Sequence, residues 1–248
     1  MRVFLFSIIL TAFIACTPAT ETTAEESAPP KKDIGFNLEP VPQAARYVVA
    51  VPNFAVRAGS VKIGEADLSQ EGDGFYKELG SGVADIFVTE AFRSQQFRLT
   101  ERAELDKVIS EQDLATSGRV SSETAAEVGR ITGAELIVLG SLSEFGINTT
   151  GGGGKVLGIF GGSAETVSAN VAVDIRIVDA VTAEIVAIGV GRDSQSQTNI
   201  SLDVLNVIRS LKAGQSGTTI VDIAVRNAIR KAINEAASSL PKKASTGS

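Results

Sequence analysis

The chain of 248 residues contains no histidine and no tryptophan, and its one cysteine is Cys16. Without histidine there is no Ser-His or Cys-His catalytic pair and no imidazole to hold a metal. A lone cysteine excludes an internal disulfide and any CxxC metal or redox site. Positive charge is scarce too: 23 Lys and Arg stand against 29 Asp and Glu, a net charge of −6. Nucleic-acid binding needs a basic face to neutralise phosphates, so no nucleic-acid partner is expected. The apolar run Val3–Ile14 is too short to span a bilayer as a helix. About 200 foldable residues point to a single domain.

What is present begins at residue 2. Arg2 gives a basic start, Val3–Ile14 an apolar run, and Ala15 a small residue ahead of Cys16. That is the layout of a signal peptide. A cysteine at the cleavage position resembles the bacterial lipoprotein signal, in which the sulfur is acylated and becomes the new N-terminus. Phe13 stands where such signals usually carry leucine, and the alternative is an ordinary secretory signal with an incidental cysteine. On the lipoprotein reading, residues 1–15 are removed and Cys16 is the lipidation site, carrying several acyl chains, palmitate among them. Each buried methylene adds about 0.8 kcal/mol, so several chains anchor a protein almost permanently. Thr17, not aspartate, follows the cysteine, a pattern that in Gram-negative bacteria usually implies the outer membrane.

Residues 16–42 are rich in Thr, Ala, Glu and Pro and read as a lipidated tether, with a polar tail at 242–248. Between them the domain at 43–241 alternates strands and helices. Arg46–Phe54, Phe97–Thr100, Ala134–Leu142 and Val167–Val178 read as strands, the last alternating cleanly and turning through DAVTAE into Ile185–Val190. Gly80–Gln95, Arg102–Leu114, Ser121–Thr132 and Thr218–Leu240 read as helices. The expected fold is α/β, an α+β sandwich with packed helices on a mostly antiparallel sheet. Asp85 with Glu90, or Asp193 with Asp203, could be read as carboxylate pairs, but charged helix faces and loop ends explain them more simply.

The segment GGGGKVLGIFGG, Gly151 to Gly162, tempts a phosphate-loop reading. That reading fails in detail, because Lys155 is followed by Val156 and Thr149 stands where GxxxxGK[ST] needs glycine. No cofactor is therefore expected. Val156, Leu157, Ile159 and Phe160 make an unusually apolar loop tip, better explained if it reaches lipid or another subunit.

With AELIVLGSLSEFG, GGGGKVLGIFGG, VAVDIRIVDAVTAEIV and FRLTERAELDKVISEQ in this order behind that signal, the chain resembles the CsgG family from about Tyr47 to Leu240. These are outer-membrane lipoproteins that secrete curli subunits, and the family includes the related holdfast-anchoring lipoproteins. The resemblance implies a ring homo-oligomer whose subunits each give two β-hairpins to one transmembrane barrel, with the α/β domains in the periplasm. The hairpins would fall at 141–173 and 192–217, with Val156, Leu157, Ile159 and Phe160 at the first membrane tip. Val167, Ala169, Val171 and Val173 would then alternate with polar residues as in a barrel, though any half-buried sheet does the same. For 192–217 the residues themselves point elsewhere: Ile200, Val204, Val207, Ile208 and Leu211 recur at helical spacing. Either this segment refolds on assembly or the second hairpin is lost. The family's channel constriction corresponds to the loop Ala55–Leu79, where Phe75 matches its phenylalanine, Gly74 replaces its asparagine, and Tyr76 lies beside it. Equally, both aromatics could pack that loop onto the domain.

The implied function is an outer-membrane secretion channel for unfolded curli-like or adhesin and holdfast proteins, without enzymatic activity. Its partners would be copies of itself, outer-membrane lipid, the secreted subunits and a periplasmic accessory protein. The alternative is a periplasmic lipoprotein that forms no pore and acts as scaffold or regulator of an envelope machine.

Overall fold

The structure is a computed structural model that describes residues 34–64, 68, 71–121, 123–124, 128–150, 163–201, 204–215 and 219–243. Seven strands form one mixed sheet: β1 (Tyr47–Ala50), β2 (Ala55–Val56), β3 (Val61–Ile63), β4 (Phe97–Thr100), β5 (Leu136–Thr150), β6 (Ser163–Asp179) and β7 (Ile185–Ser201). The spatial order is β4-β1-β5-β6-β7, with β2 and β3 continuing beyond β1 along the same edge of β5. β1 is parallel to β4 and β5, while β5, β6 and β7 form an antiparallel meander. The mostly antiparallel sheet with packed helices is thus observed, and its parallel part is the short-stranded β4-β1 side.

Helices α1 (Asp73–Arg93) and α4 (Ile220–Ser239) pack on one face of the sheet and touch each other. Between them and the strands lies a single core: Leu79, Val83, Ile86 and Phe87 of α1, Val49 of β1, Val138 of β5, Ile175 and Ile177 of β6, and Val225, Ile229 and Ile233 of α4. The alternation read in the sequence is the reason. Val167, Ala169, Val171, Val173, Ile175 and Ile177 point inward and are buried, while of the residues between them all but Ala172 are at least partly exposed. α4 starts where the Thr219 hydroxyl accepts the Asp222 N–H and ends just before Pro241. At the β6–β7 turn the Asp179 carboxylate accepts the N–H groups of Val181 and Thr182, which holds it below the usual carboxylate range.

Four expectations are corrected. The helix expected at Gly80–Gln95 starts seven residues earlier, at Asp73, with Gly72 as its N-cap. The loop expected over Ala55–Leu79 instead contains β2, β3 and the first turns of α1, since Val61 and Ile63 bury themselves by pairing with β5. No helix is formed by the described residues of Ser121–Thr132, which make turns around Gly129 at φ +78°. β5 and β7 run well past Leu142 and Val190, to Thr150 and Ser201. The second helix is α2 (Leu105–Thr116), and α3 (Val204–Lys212) fulfils the helical reading of the 201–212 spacing. Among the described residues no helix is long and apolar enough to cross a membrane.

Candidate functional site

The candidate site is the far half of the meander with the elements clamped around it. Ser141–Thr149 of β5 pairs with β6, and β6 pairs with β7 through Ser163↔Ser201, so three strands run on well beyond four-residue β1. Of the expected second hairpin, Arg192–Ser201 is the end of β7 and Val204–Lys212 is α3.

α3 lies against α1. Val207 and Leu211 are buried, and the carbonyl of Leu211 stands where a Cβ on Gly82 would be, 1.6 Å away. Glycine is what lets the two backbones meet. Lys212 pairs with Glu78 and sits 5.0 Å above the ring of Phe75. Gly82→Ala should therefore push α3 off, speeding trypsin cleavage after Arg209 and Lys212 about tenfold, the equivalent of ~1.4 kcal/mol lost from docking. Cleavage at the wild-type rate would show that the contact is dispensable.

Phe75 and Tyr76 are on the first turn of α1, edge to face at 5.2 Å. Tyr76 is buried with its hydroxyl donating to Leu68 O, while Phe75 is half-buried under Lys212. Cys16, Val156, Leu157, Ile159 and Phe160 lie outside the described residues.

Sequence reasoning missed the largest polar cluster. Glu90 of α1, fully buried, accepts from Arg226 and from Arg230 Nε at 2.6 Å, both on α4, and from Arg93 at 3.1 Å. Burial works to raise its pKa, but the hydrogen bonds from Arg230 and Arg226 outweigh it and hold Glu90 below its usual value. Arg230 also donates to Ile34 O (2.8 Å), Asn227 Oδ1 accepts the Ile34 N–H (3.1 Å), and Asn234 Oδ1 accepts the Asn37 N–H (3.2 Å). The segment expected as tether is thus strapped along α4 from Ile34 to Asn37, and Gln96 of the α1 end then holds Glu39 O. The signal available was the Asn227–Arg230–Asn234 spacing on one helix face.

Asp193 of β7 gathers Lys231 (2.6 Å), Asn227 (3.1 Å) and Gln195. Two side chains of α4 also reach the outer edge of β7: Glu235 accepts the Val190 N–H (2.8 Å) and Lys231 donates to Arg192 O (2.6 Å). A cleft of about 570 Å³ between α1 and the end of β4 is lined by Val51, Asp85, Val88, Phe92, Leu99 and Arg102. Partial burial, then the charges of Glu101 and Glu104, push the Asp85 carboxyl up. Among the described residues no group of acidic or thiol side chains is arranged to hold a metal.

The fold is thus an α/β layer whose antiparallel meander overruns its short parallel strands, with α3 docked on α1. The family model of the curli production assembly/transport component CsgG matches residues 34–247, and the chain belongs to that family. Solved structures similar to it include the hypothetical protein CT253 from Chlamydia trachomatis, at 15% identity and TM-score 0.40, covering 79% of this chain and 98% of that one. The PelC dodecamer from Paraburkholderia phytofirmans is 12% identical with TM-score 0.31, covering 82% and 94%. Lipoprotein GNA1162 from Neisseria meningitidis is 12% identical with TM-score 0.33, covering 67% and 93%. No curated protein matches this chain.

Proposed function

We propose that this protein is an outer-membrane lipoprotein, acylated at Cys16, whose copies assemble into a secretion channel for unfolded curli-like or adhesin-forming chains. The observation that carries this reading, beside membership of a transport family, is the length of the meander. β5, β6 and β7 span 15, 17 and 17 residues. A membrane barrel strand takes about 9–11, so each strand has a barrel's worth of residues beyond what its domain half uses. Along β6 the far half is apolar on one face at Val167, Ala169 and Val171, and polar on the other at Ser168 and Asn170. In a closed barrel the first set, buried in the core here, is uncovered and turned to lipid, and the second faces the lumen.

The same reading gives α3 a role as a latch. A second hairpin needs residues 204–217 extended, which requires α3 to leave α1. Lys212 leaves with it, and Phe75 loses the cation that covers it. Rings of Phe75 from several copies, with Tyr76 behind them, would then narrow the pore with contacts that suit any passing side chain. Transport is diffusive, biased by capture outside or by a periplasmic accessory protein.

A second reading, a periplasmic scaffold or regulator without a pore, is favoured by one observation: α3 is well docked as a helix, with Leu211 2% exposed. Single-channel recording of the purified lipidated protein in planar bilayers, with its mass taken in mild detergent, separates the two. Large uniform steps from a ring-sized species are expected, and Phe75→Ala should change their amplitude. A small, non-conducting species would give the scaffold; steps unaltered by Phe75→Ala would remove Phe75 from the constriction.

A further inference from the structure

Two surfaces of this chain leave large apolar side chains exposed. The first is the face of β5–β7 turned away from the helices, where Leu139, Ile185 and Ile188 are 40%, 52% and 52% exposed. In the register Leu139 lies opposite Arg176, and Arg176 opposite Ile188. An arginine therefore stands in the middle of the apolar row, and among the described residues its guanidinium has no ion pair or hydrogen bond.

The second surface belongs to α2, none of whose side chains is buried. Leu105, Val108, Ile109 and Gln112 fall on one stripe at helical spacing, and Val108 and Ile109 are 39% and 40% exposed. Glu111 and Asp113 flank that stripe on its two sides. A helix of twelve residues is marginal in water unless it buries such a stripe.

We propose that α2 of one copy docks on the outer sheet face of a second copy. Val108 and Ile109 lie there against Leu139 and Ile188, and Glu111 or Asp113 pairs with Arg176. The choice of a second copy follows from the arginine. An apolar partner would bury Arg176 unpaired, at a large cost in desolvation. The occupant must bring an apolar ridge edged with carboxylates, which is what α2 presents. The contact deepens the assembly reading above by naming its surfaces, and it can stand or fall independently of a pore.

The test is thiol cross-linking of the full lipidated chain, with the parent protein as control for Cys16. Val108→Cys and Ile188→Cys both replace exposed side chains, so folding is preserved. Co-expressed as separate chains, the two variants should give a disulfide-linked heterodimer on mild oxidation, while neither cross-links alone. Both substitutions in one chain should give multimers, a ladder if the contact runs head to tail around a ring and a dimer if it is reciprocal. Arg176→Glu should cut the yield several-fold, and Glu111→Arg added to it should restore the bond. The proposal is overturned if Val108→Cys links to itself, if the double variant closes within one chain, or if oligomers form without the bond. A conducting ring lacking the bond would remove this docking and leave the channel; the bond in a non-conducting dimer would do the reverse.

Discussion

Glu90→Gln is expected to lower the melting temperature of the domain by roughly 6–20 °C, from a loss of about 3–5 kcal/mol. The reason is what remains behind. Arg226 and Arg230 are 8% and 7% exposed, and Glu90 is the carboxylate that joins both to α1. A glutamine of the same shape fills the space but removes the negative charge that the two guanidiniums share, leaving Arg226 with Asp222 at 3.2 Å and Arg230 with the Ile34 carbonyl at 2.8 Å. Replacing Glu90, Asp222, Arg226 and Arg230 together by apolar residues should cost far less, because the desolvation penalty disappears with all four charges. The pH dependence has a definite sign. Because the folded protein holds the Glu90 pKa down, its contribution is complete above the unfolded value of about 4.3 and fades as pH falls through the folded value. Thermal melts between pH 7 and pH 3 should show a steep acid limb in the wild type and a shallower one in Glu90→Gln. Equal slopes would mean that Glu90 does not drive the acid response.

Gly191→Val should be comparably damaging, for a steric reason. A Cβ at Gly191 would fall 1.7 Å from Ala228 O, and one at the next inward position, Gly189, 2.0 Å from Ala232 O. α4 thus rests its backbone directly on β7, its alanines meeting strand positions that have no side chain. Valine would lift α4 from the sheet by more than an ångström along a contact that buries Val225, Ile229 and Ile233. A loss of about 3 kcal/mol or more is expected, read as a lower urea midpoint. An unshifted midpoint would show that α4 can slide without cost.

Much of this fold was legible where local chemistry and long-range packing agree. β4, read as the brief strand Phe97–Thr100, has those ends in the structure, where the chain turns just before it at Gln95 with φ +55°. α4 was legible as Thr218–Leu240 from its 3.6-residue stripe, and α3 from spacing alone. The misses have physical causes. Gly72, Gly74, Gly80 and Gly82 dilute helix propensity just where α1 begins, so tertiary packing decides its start. β2 and β3 are two and three residues long and exist through pairing with a strand some eighty residues away. The polar end of β7, SQSQTN, carries no alternating pattern, and its extension is set by the neighbouring β6. Glu90 looked like one charge on a solvated helix face because its partners lie 136 and 140 residues further on.

The two side chains that α4 extends to the edge of β7 have a consequence for length. Glu235 and Lys231 occupy the outward backbone groups of Val190 and Arg192, so a strand added to this edge meets a stop there. From Ser194 to Ser201 the same edge pairs with no strand among the described residues. Eight residues at about 3.3 Å each make a free margin of roughly 26 Å, close to the ~25 Å apolar band of outer-membrane barrels. On the proposed channel reading, α4 would act as a ruler, confining strand addition to a stretch about as tall as that band.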